Sequence, residues 1–323
     1  MTRTCCLVVN PAAGGGRSQR LLPKVTGVLD AAGVRHVVRA SASLRHAAEL
    51  AAAAAGRGET VVAFGGDGMV GTLAAAVAAA GGVFGIVPAG RGNDFARTLG
   101  IPFSLTEAAD RLVTGQERAV DLIGVAQEGR APGGELVVAG SVYLGIPAVA
   151  AQIAVGSRFP PGALAYPVAA LRAVAGWRPA RFRLELDGEP GQGRTDLDST
   201  DQGGTGSRVR EFAGGAVVVA NSRYFGAGMM VAPDADTGDG LLDVLYIQGS
   251  AKPAMIHALT KIKKGGHVTM RPVGSARAGA VTVSADRAMP GGADGEPLGC
   301  AAPLEPGTRL VIRALPGVLR VIS

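Results

Sequence analysis

Residues 60–72, TVVAFGGDGMVGT, constrain the fold more than any other stretch of the chain. The apolar run Val61-Val62-Ala63-Phe64 has the length and composition of a buried strand. It stops at Gly65-Gly66-Asp67-Gly68, and the small, Ala-rich segment 70–80 that follows reads as a helix. Glycines at a strand-to-helix turn let backbone N–H groups approach a ligand closely and permit positive φ. The helix start adds unpaired donors and a partial positive charge, which suits phosphate. A carboxylate in the middle of that turn repels a bare anion. Asp67 therefore points to a metal-bound phosphate, to a proton acceptor beside one, or, more plainly, to a helix cap.

Two more loops of this kind flank it. Residues 4–10, TCCLVVN, form an apolar run ending in Asn10-Pro11 and leading through Ala12-Ala13-Gly14-Gly15-Gly16-Arg17-Ser18 into a helix over 19–32. No Gly-Lys-Ser/Thr follows at Walker spacing, so any phosphate here is cradled by backbone donors. A strand over 36–40 precedes a helix over 44–55, with Ser43 as N-cap and Gly56 as stop. A strand over 83–87 then ends in PAGRGNDFAR, residues 88–97. Four strand–helix units in succession predict a parallel sheet with helices on both faces. In such sheets ligands sit beyond the C-terminal strand ends, where all three Gly-rich loops fall.

After a helix over 105–114 the pattern changes. Strands are expected over 120–125, 135–144, 181–186, 212–220, 242–247, 268–271, 280–284 and 309–314, mostly joined by turns, with helical segments near 149–155 and 164–175. The expected fold class is α/β plus mainly β. It comprises an N-terminal parallel three-layer α/β domain over 1–118 and a C-terminal antiparallel β-sandwich over 119–304, with the tail 305–323 free to return to the first domain. Residues 188–210, rich in Gly, Asp, Ser and Thr, read as an exposed, mobile insertion.

A chain of 323 residues that is 47% hydrophobic buries a sizeable core. Its net charge of +6 suits phosphates or an anionic surface and selects neither. Few aromatics and no reader motif argue against nucleic acid. Cys5, Cys6 and Cys300 have no disulfide or metal spacing, which implies a reducing, cytoplasmic setting. The longest uncharged stretch, 73–90, is broken by Gly81-Gly82 and Pro88, so it reads as helix, turn and strand rather than a membrane span. Lys261, Lys263, Lys264 and Arg271 form a basic cluster, read as a solvated helix end, with a membrane-facing patch as the alternative. Exposed strand edges in the β-rich half are compatible with a homodimer.

NPAAGGGRS, GGDG and PAGRGNDFAR, followed by APDADTGDGLLDV at 232–244 and DGEPL at 294–298, occur in an order that resembles the diacylglycerol kinase catalytic family. That family includes sphingosine and ceramide kinases and soluble two-domain bacterial lipid kinases, and the resemblance runs from about residue 4 to the end. It implies an ATP- and Mg²⁺-dependent kinase that moves the γ-phosphoryl group to a lipid hydroxyl, most simply diacylglycerol, in peripheral contact with the inner membrane surface. It places ATP in the cleft between an α/β domain and a β-sandwich. By the resemblance, Asn10, Pro11, Ala12, Ala13, Gly14, Ser41, Gly66, Asp67, Gly68, Met69, Val70, Gly71, Thr72 and Arg91 line the nucleotide. Glu296 matches the proton acceptor. Asp239, with the carbonyls of Asp236 and Leu241, matches a Mg²⁺ site, and Asn93, Asp94 and Asp121 stand near phosphates and metal.

The chemistry is coherent on the residues alone. Phosphoryl transfer needs positioned phosphates, charge neutralisation and an oriented nucleophile. A carboxylate within hydrogen-bond reach can take the proton of a lipid hydroxyl. Glu296 and Asp67 are both competent; Glu296 is taken as the base and Asp67 as the phosphate-side acid. The sequence departs from the family pattern where Met69 replaces a Thr, Thr72 a Glu and Arg91 a Thr, and where Tyr143-Leu144-Gly145-Ile146-Pro147 lacks the usual Phe-Asp. Two rival expectations follow. One is NAD kinase, which shares the Gly-Gly-Asp-Gly turn; the other is a catalytically weak nucleotide- or lipid-binding relative.

Overall fold

The computed structural model describes residues 3–11, 17–129, 135–156, 165–188, 207–249, 251–298 and 304–323. The chain divides into two compact units, Met1–Leu122 with Pro316–Ser323, and Ile123–Leu315.

The first unit is a three-layer α/β sandwich. Its elements are β1 (Thr4–Val9), α1 (Arg17–Ala31), β2 (Arg35–Ala40), α2 (Leu44–Gly56), β3 (Thr60–Gly65), α3 (Asp67–Ala79), β4 (Val83–Pro88), the short α4 (Asp94–Thr98), α5 (Leu105–Thr114) and the start of β5 (Glu117–Gln127). The strands run parallel in the order β2-β1-β3-β4, and the end of the last strand, Leu310–Ile322, adds beside β4 through Arg320 and Val321. β1 and β3 are buried on both faces. They are continuous apolar runs because Val25, Leu29 and Leu112 cover one side and the Ala-rich α2 and α3 the other. Adjacent residues of a strand face opposite ways, so Cys5 and Cys6 are buried in different layers. Burial pushes the Cys5 thiol up to about 11. Ser43 caps α2 by accepting from the His46 N–H at 3.1 Å. β2 closes the sheet at one edge, exposed and carrying Arg35 and Arg39.

The second unit is an antiparallel β-sandwich, built from the end of β5, β6 (Leu136–Val138), β7 (Ser141–Gly145), α6 (Ile146–Gly156), α7 (Ala165–Gly176), β8 (Ala180–Asp187), β9 (Ser207–Ala220), β10 (Tyr224–Phe225), β11 (Met229–Met230), β12 (Leu242–Gln248), α8 (Lys252–Lys261), β13 (Val273–Ala278), β14 (Ala280–Ala285), β15 (Gly291–Ala293), β16 (Glu296–Pro297) and the start of β17 (Leu310–Ile322). The 14-residue β9 serves both layers. Its first half pairs with β8, which leads through β14 to β17; its second half lies between β7 and β12. The change of partner falls at Gly214-Gly215. A Cβ on Gly214 would stand 2.1 Å from the Ile247 carbonyl oxygen, so only glycine fits this corner. Val217, Val219, Leu184, Val283 and Leu310 fill the core between the layers.

Several expected elements differ. Residues 266–269 form a 3-10 turn instead of a strand, and the strand begins at Val273. Gly265, at φ +73 and close against Pro233, turns the chain there. The strand expected over 135–144 is split, because the N–H groups of Ala139, Gly140 and Ser141 turn to the Asp294 carboxylate. Residues 207–210 belong to β9 rather than to a loop; 189–206 lie outside the described residues. Among the described residues no helix is long and apolar enough to cross a membrane.

Candidate functional site

In the first unit the chain proceeds from β1 outward to β2 and then crosses to β3 on the other side of β1. This reversal of direction opens a crevice at the C-terminal ends of β1 and β3, the place where open parallel sheets take ligands. Asn10-Pro11 follows β1 and Gly66-Asp67-Gly68 follows β3, so two of the three Gly-rich loops flank the reversal. Ala12, Ala13 and Gly14 lie outside the described residues. Ser41, at the end of β2, is buried and donates its hydroxyl to the Val9 carbonyl at 3.1 Å, tying the β1 and β2 ends together.

Asp67 is the first residue of α3 but does not cap it; Gly66 holds the cap position. Its carboxylate reaches the loop after β4 instead. One oxygen accepts from the Asn93 N–H at 2.8 Å and the other from the Asp94 N–H at 2.6 Å, so it closes the N-terminus of α4. Asn93 adopts φ 52 and folds its amide back on Gly90, accepting from that residue's N–H at 3.0 Å and donating to its carbonyl at 3.1 Å. The β3 and β4 loops touch: a Cβ on Gly90 would stand 2.4 Å from the Gly66 Cα. Asp67, Asn93, Gly66 and Gly90 thus make one rigid cradle. Both Asp67 oxygens are taken up by backbone donors, so the geometry gives Asp67 a positioning role.

Met69 and Val70 are buried, leaving only their backbone to a ligand, while Gly68, Gly71 and Thr72 are half-buried on α3. Arg91 is exposed on the loop after β4. Asp94 leads α4 and is half-buried. Asp121 is buried in β5 and accepts from the Gly317 N–H at 2.7 Å, bracing the last strand of this unit.

In the second unit Glu296 stands exposed at the start of β16. The β15–β16 hairpin turns on Asp294-Gly295, with φ 46 and 90, the two positive values that a two-residue type I′ turn requires. Asp294 anchors this turn by accepting from the N–H groups of Ala139, Gly140 and Ser141 at 2.8–2.9 Å. Beneath it Tyr143 is fully buried against Phe225, and Gly292 leaves room for the ring. Burial, then the neighbouring Asp294 carboxylate, push the Tyr143 phenol above its ordinary range. No hydrogen bond or ion pair engages the Glu296 carboxylate among the described residues. Sequence reasoning missed Asp294 as a support; the Asp-Gly pair between two short apolar runs was the available signal.

The loop 234–241 holds its own acids differently. Asp236 is exposed and accepts from the Gly238 N–H at 3.1 Å. Asp239 accepts from the Leu241 N–H at 3.0 Å and pairs with Arg277. Arg277 also lies 3.7 Å from Asp243, whose carboxyl is pushed up to about 6 by burial against the pull of that guanidinium. The oxygen donors are hard enough for Mg²⁺. The Asp239 charge is already balanced by Arg277, however, and no group of three or more His, Cys, Asp or Glu gathers among the described residues. The expected site, Asp239 with the carbonyls of Asp236 and Leu241, uses one carboxylate and two main-chain oxygens, and here that carboxylate is turned to Arg277 and to the Leu241 N–H.

The second unit also encloses an apolar cavity of about 240 Å³. Ile146, Ala150, Val218 and Phe225 line it, with Leu171 of α7 and Ile256 of α8. His267 is one of its few polar neighbours; it is buried, and its Nε2 lies 3.0 Å from the Val231 carbonyl.

Residues 4–125 match the family model of the diacylglycerol kinase catalytic domain, and residues 140–323 that of the YegS C-terminal NAD kinase beta sandwich-like domain. Among curated proteins, the chain is 31% identical to a diacylglycerol kinase of Mycobacterium tuberculosis, over 98% of this chain and 93% of that protein. It is 25% identical to a diacylglycerol kinase of Bacillus subtilis over 90% of this chain and 88% of the other. Among solved structures, a diacylglycerol kinase from Bacillus anthracis shares the fold with a TM-score of 0.70 at 19% identity, covering 99% of this chain and 96% of that one.

Proposed function

The chain belongs to the diacylglycerol kinase family, and from that premise we propose that it transfers the γ-phosphoryl group of magnesium-complexed ATP to the hydroxyl of a membrane lipid, diacylglycerol being the first candidate, at the cytoplasmic membrane surface. The observation that carries the choice of a lipid is the apolar cavity of the second unit. A chain of methylenes leaves water for such a lining with a gain of about 0.8 kcal/mol per buried CH₂. NAD, polar along its whole length, gains nothing there, and the same cavity weighs against the NAD kinase alternative. The crevice between the β1 and β3 loops supports nucleotide binding, with backbone donors of the α3 N-terminus turned to phosphate.

In this reading the cradle of Asp67, Asn93, Gly66 and Gly90 fixes the β3 and β4 loops before the nucleotide arrives, so little ordering is left for the binding step. Arg91 supplies a mobile cation for the phosphates. Glu296 takes the proton of the lipid hydroxyl as its oxygen bonds to the γ-phosphorus and ADP leaves. The metal enters as part of the nucleotide substrate and neutralises phosphate charge.

A panel of lipid alcohols in mixed micelles, assayed with labelled ATP, tests this. Wild-type protein phosphorylates at least one of them, and Glu296→Gln loses about 10²–10⁴-fold in kcat with ATP binding retained. Phosphorylation of NAD and of no lipid would refute the proposal.

A further inference from the structure

The rim of the apolar cavity has a chemistry of its own. Leu171 and Ile256 line the cavity and are also 44% and 38% exposed. They lie on α7 and α8, which meet where Lys252 of α8 donates to the Ala175 carbonyl at the end of α7. Large aliphatic side chains left in water beside an apolar hollow are costly unless something covers them. The chain around them is basic. Residues 251–272 carry Lys252, Lys261, Lys263, Lys264 and Arg271 and no Asp or Glu; residues 136–184, which supply Ile146, Pro147, Ala150, Pro167, Ala170 and Leu171 to the wall, also contain no Asp or Glu. Lys261, Lys263 and Lys264 are exposed, on either side of Ile262, which itself lines the cavity.

We propose that this face of the second unit, centred on Leu171 and Ile256 and flanked by Lys261, Lys263 and Lys264, docks on an anionic lipid bilayer. The aliphatic pair enters the headgroup–acyl boundary while the lysines remain at phosphate level. Charge complementarity selects the occupant: a rim whose α7 and α8 stretches carry clustered lysines and no Asp or Glu attracts anionic headgroups, and an apolar hollow with no Asp or Glu in its lining opens onto acyl chains. The proposal rests on the lipid-kinase reading and adds the route by which the acceptor reaches the cavity without crossing water.

Vesicle sedimentation of the whole chain tests it, with phosphatidylcholine alone and with phosphatidylcholine mixed with phosphatidylglycerol, at low and high salt. Wild-type protein binds the mixed vesicles more tightly, and salt weakens that binding. Lys261→Gln/Lys263→Gln/Lys264→Gln binds them more than about tenfold more weakly. It phosphorylates a short-chain, monomerically dissolved diacylglycerol as fast as wild type does. Leu171→Ser/Ile256→Ser weakens binding to both kinds of vesicle. Equal binding by wild type and the lysine variant overturns the docking face. So does binding of wild type to neutral vesicles as tight as to anionic ones, or no vesicle binding at all, the result expected of a face built for an acidic protein. Failure of the kinase reading looks different: neither protein phosphorylates the short-chain alcohol.

Discussion

Asp67 shows how far a single carboxylate can be read from sequence. Its position in a Gly-rich turn announces phosphate chemistry, and its chemical type suggests acid–base work. The structure spends both of its oxygens on the amides of Asn93 and Asp94. Asp67→Asn keeps the shape but sets an amide NH₂ against a backbone donor. The expected cost is about 1–3 kcal/mol in chemical denaturation, with a higher KM for ATP and an unchanged apparent pKa of kcat. A shifted pH profile would instead restore Asp67 as the base. His267 offers a second test at this scale. Its Nε2 must be the donor to the Val231 carbonyl, and burial holds its pKa below the ordinary 6.5. A base with a depressed folded-state pKa contributes stability above its unfolded pKa and loses that stability as pH falls. Stability therefore drops as the pH is lowered from 7 through the region below 6.5, and His267→Gln drops less. Denaturant midpoints at a series of pH values measure the difference.

At the scale of elements, the β15–β16 hairpin positions Glu296 and the β4 loop is tied to Asp67. Three amides converge on Asp294, so Asp294→Ala costs about 2–4 kcal/mol in thermal or chemical unfolding. It also lowers kcat through a misplaced Glu296 while leaving KM for ATP unchanged; Asp294→Asn, which tolerates the same φ, recovers part of both. An unchanged kcat in a folded Asp294→Ala protein would separate the hairpin from catalysis. These supports were the least legible part of the sequence. The βα units declared themselves because β1, β3 and β4 are apolar runs ending at Asn10-Pro11, Gly65-Gly66 and Pro88, a local signal. The role of Asp294 depends on residues some 153–155 positions away, which no local pattern carries. The same distinction explains the 3-10 turn at 266–269. His267-Val268 reads as a strand by composition, but Gly265 packed on Pro233 decides the backbone.

At the scale of the whole molecule, the change from parallel α/β to antiparallel β was plain in the spacing of helices and turns. The sandwich's construction was not: β9 feeds both layers, and its corner is marked only by Gly214-Gly215 in a chain with 50 glycines. The cavity was likewise invisible, since its walls come from segments as far apart as Ile146 and Val273. The first unit has one more consequence, which lies in its chain path. It takes its final strand from Pro316–Ser323, and all of Ile123–Leu315 lies between that strand and the rest. As the polypeptide leaves the ribosome, four strands of this sheet emerge early and β4 waits with an open edge until the whole sandwich has been translated. The half that emerges first is therefore the half that matures last, and the Gly-rich loops after β3 and β4 sit on an unfinished sheet for most of synthesis.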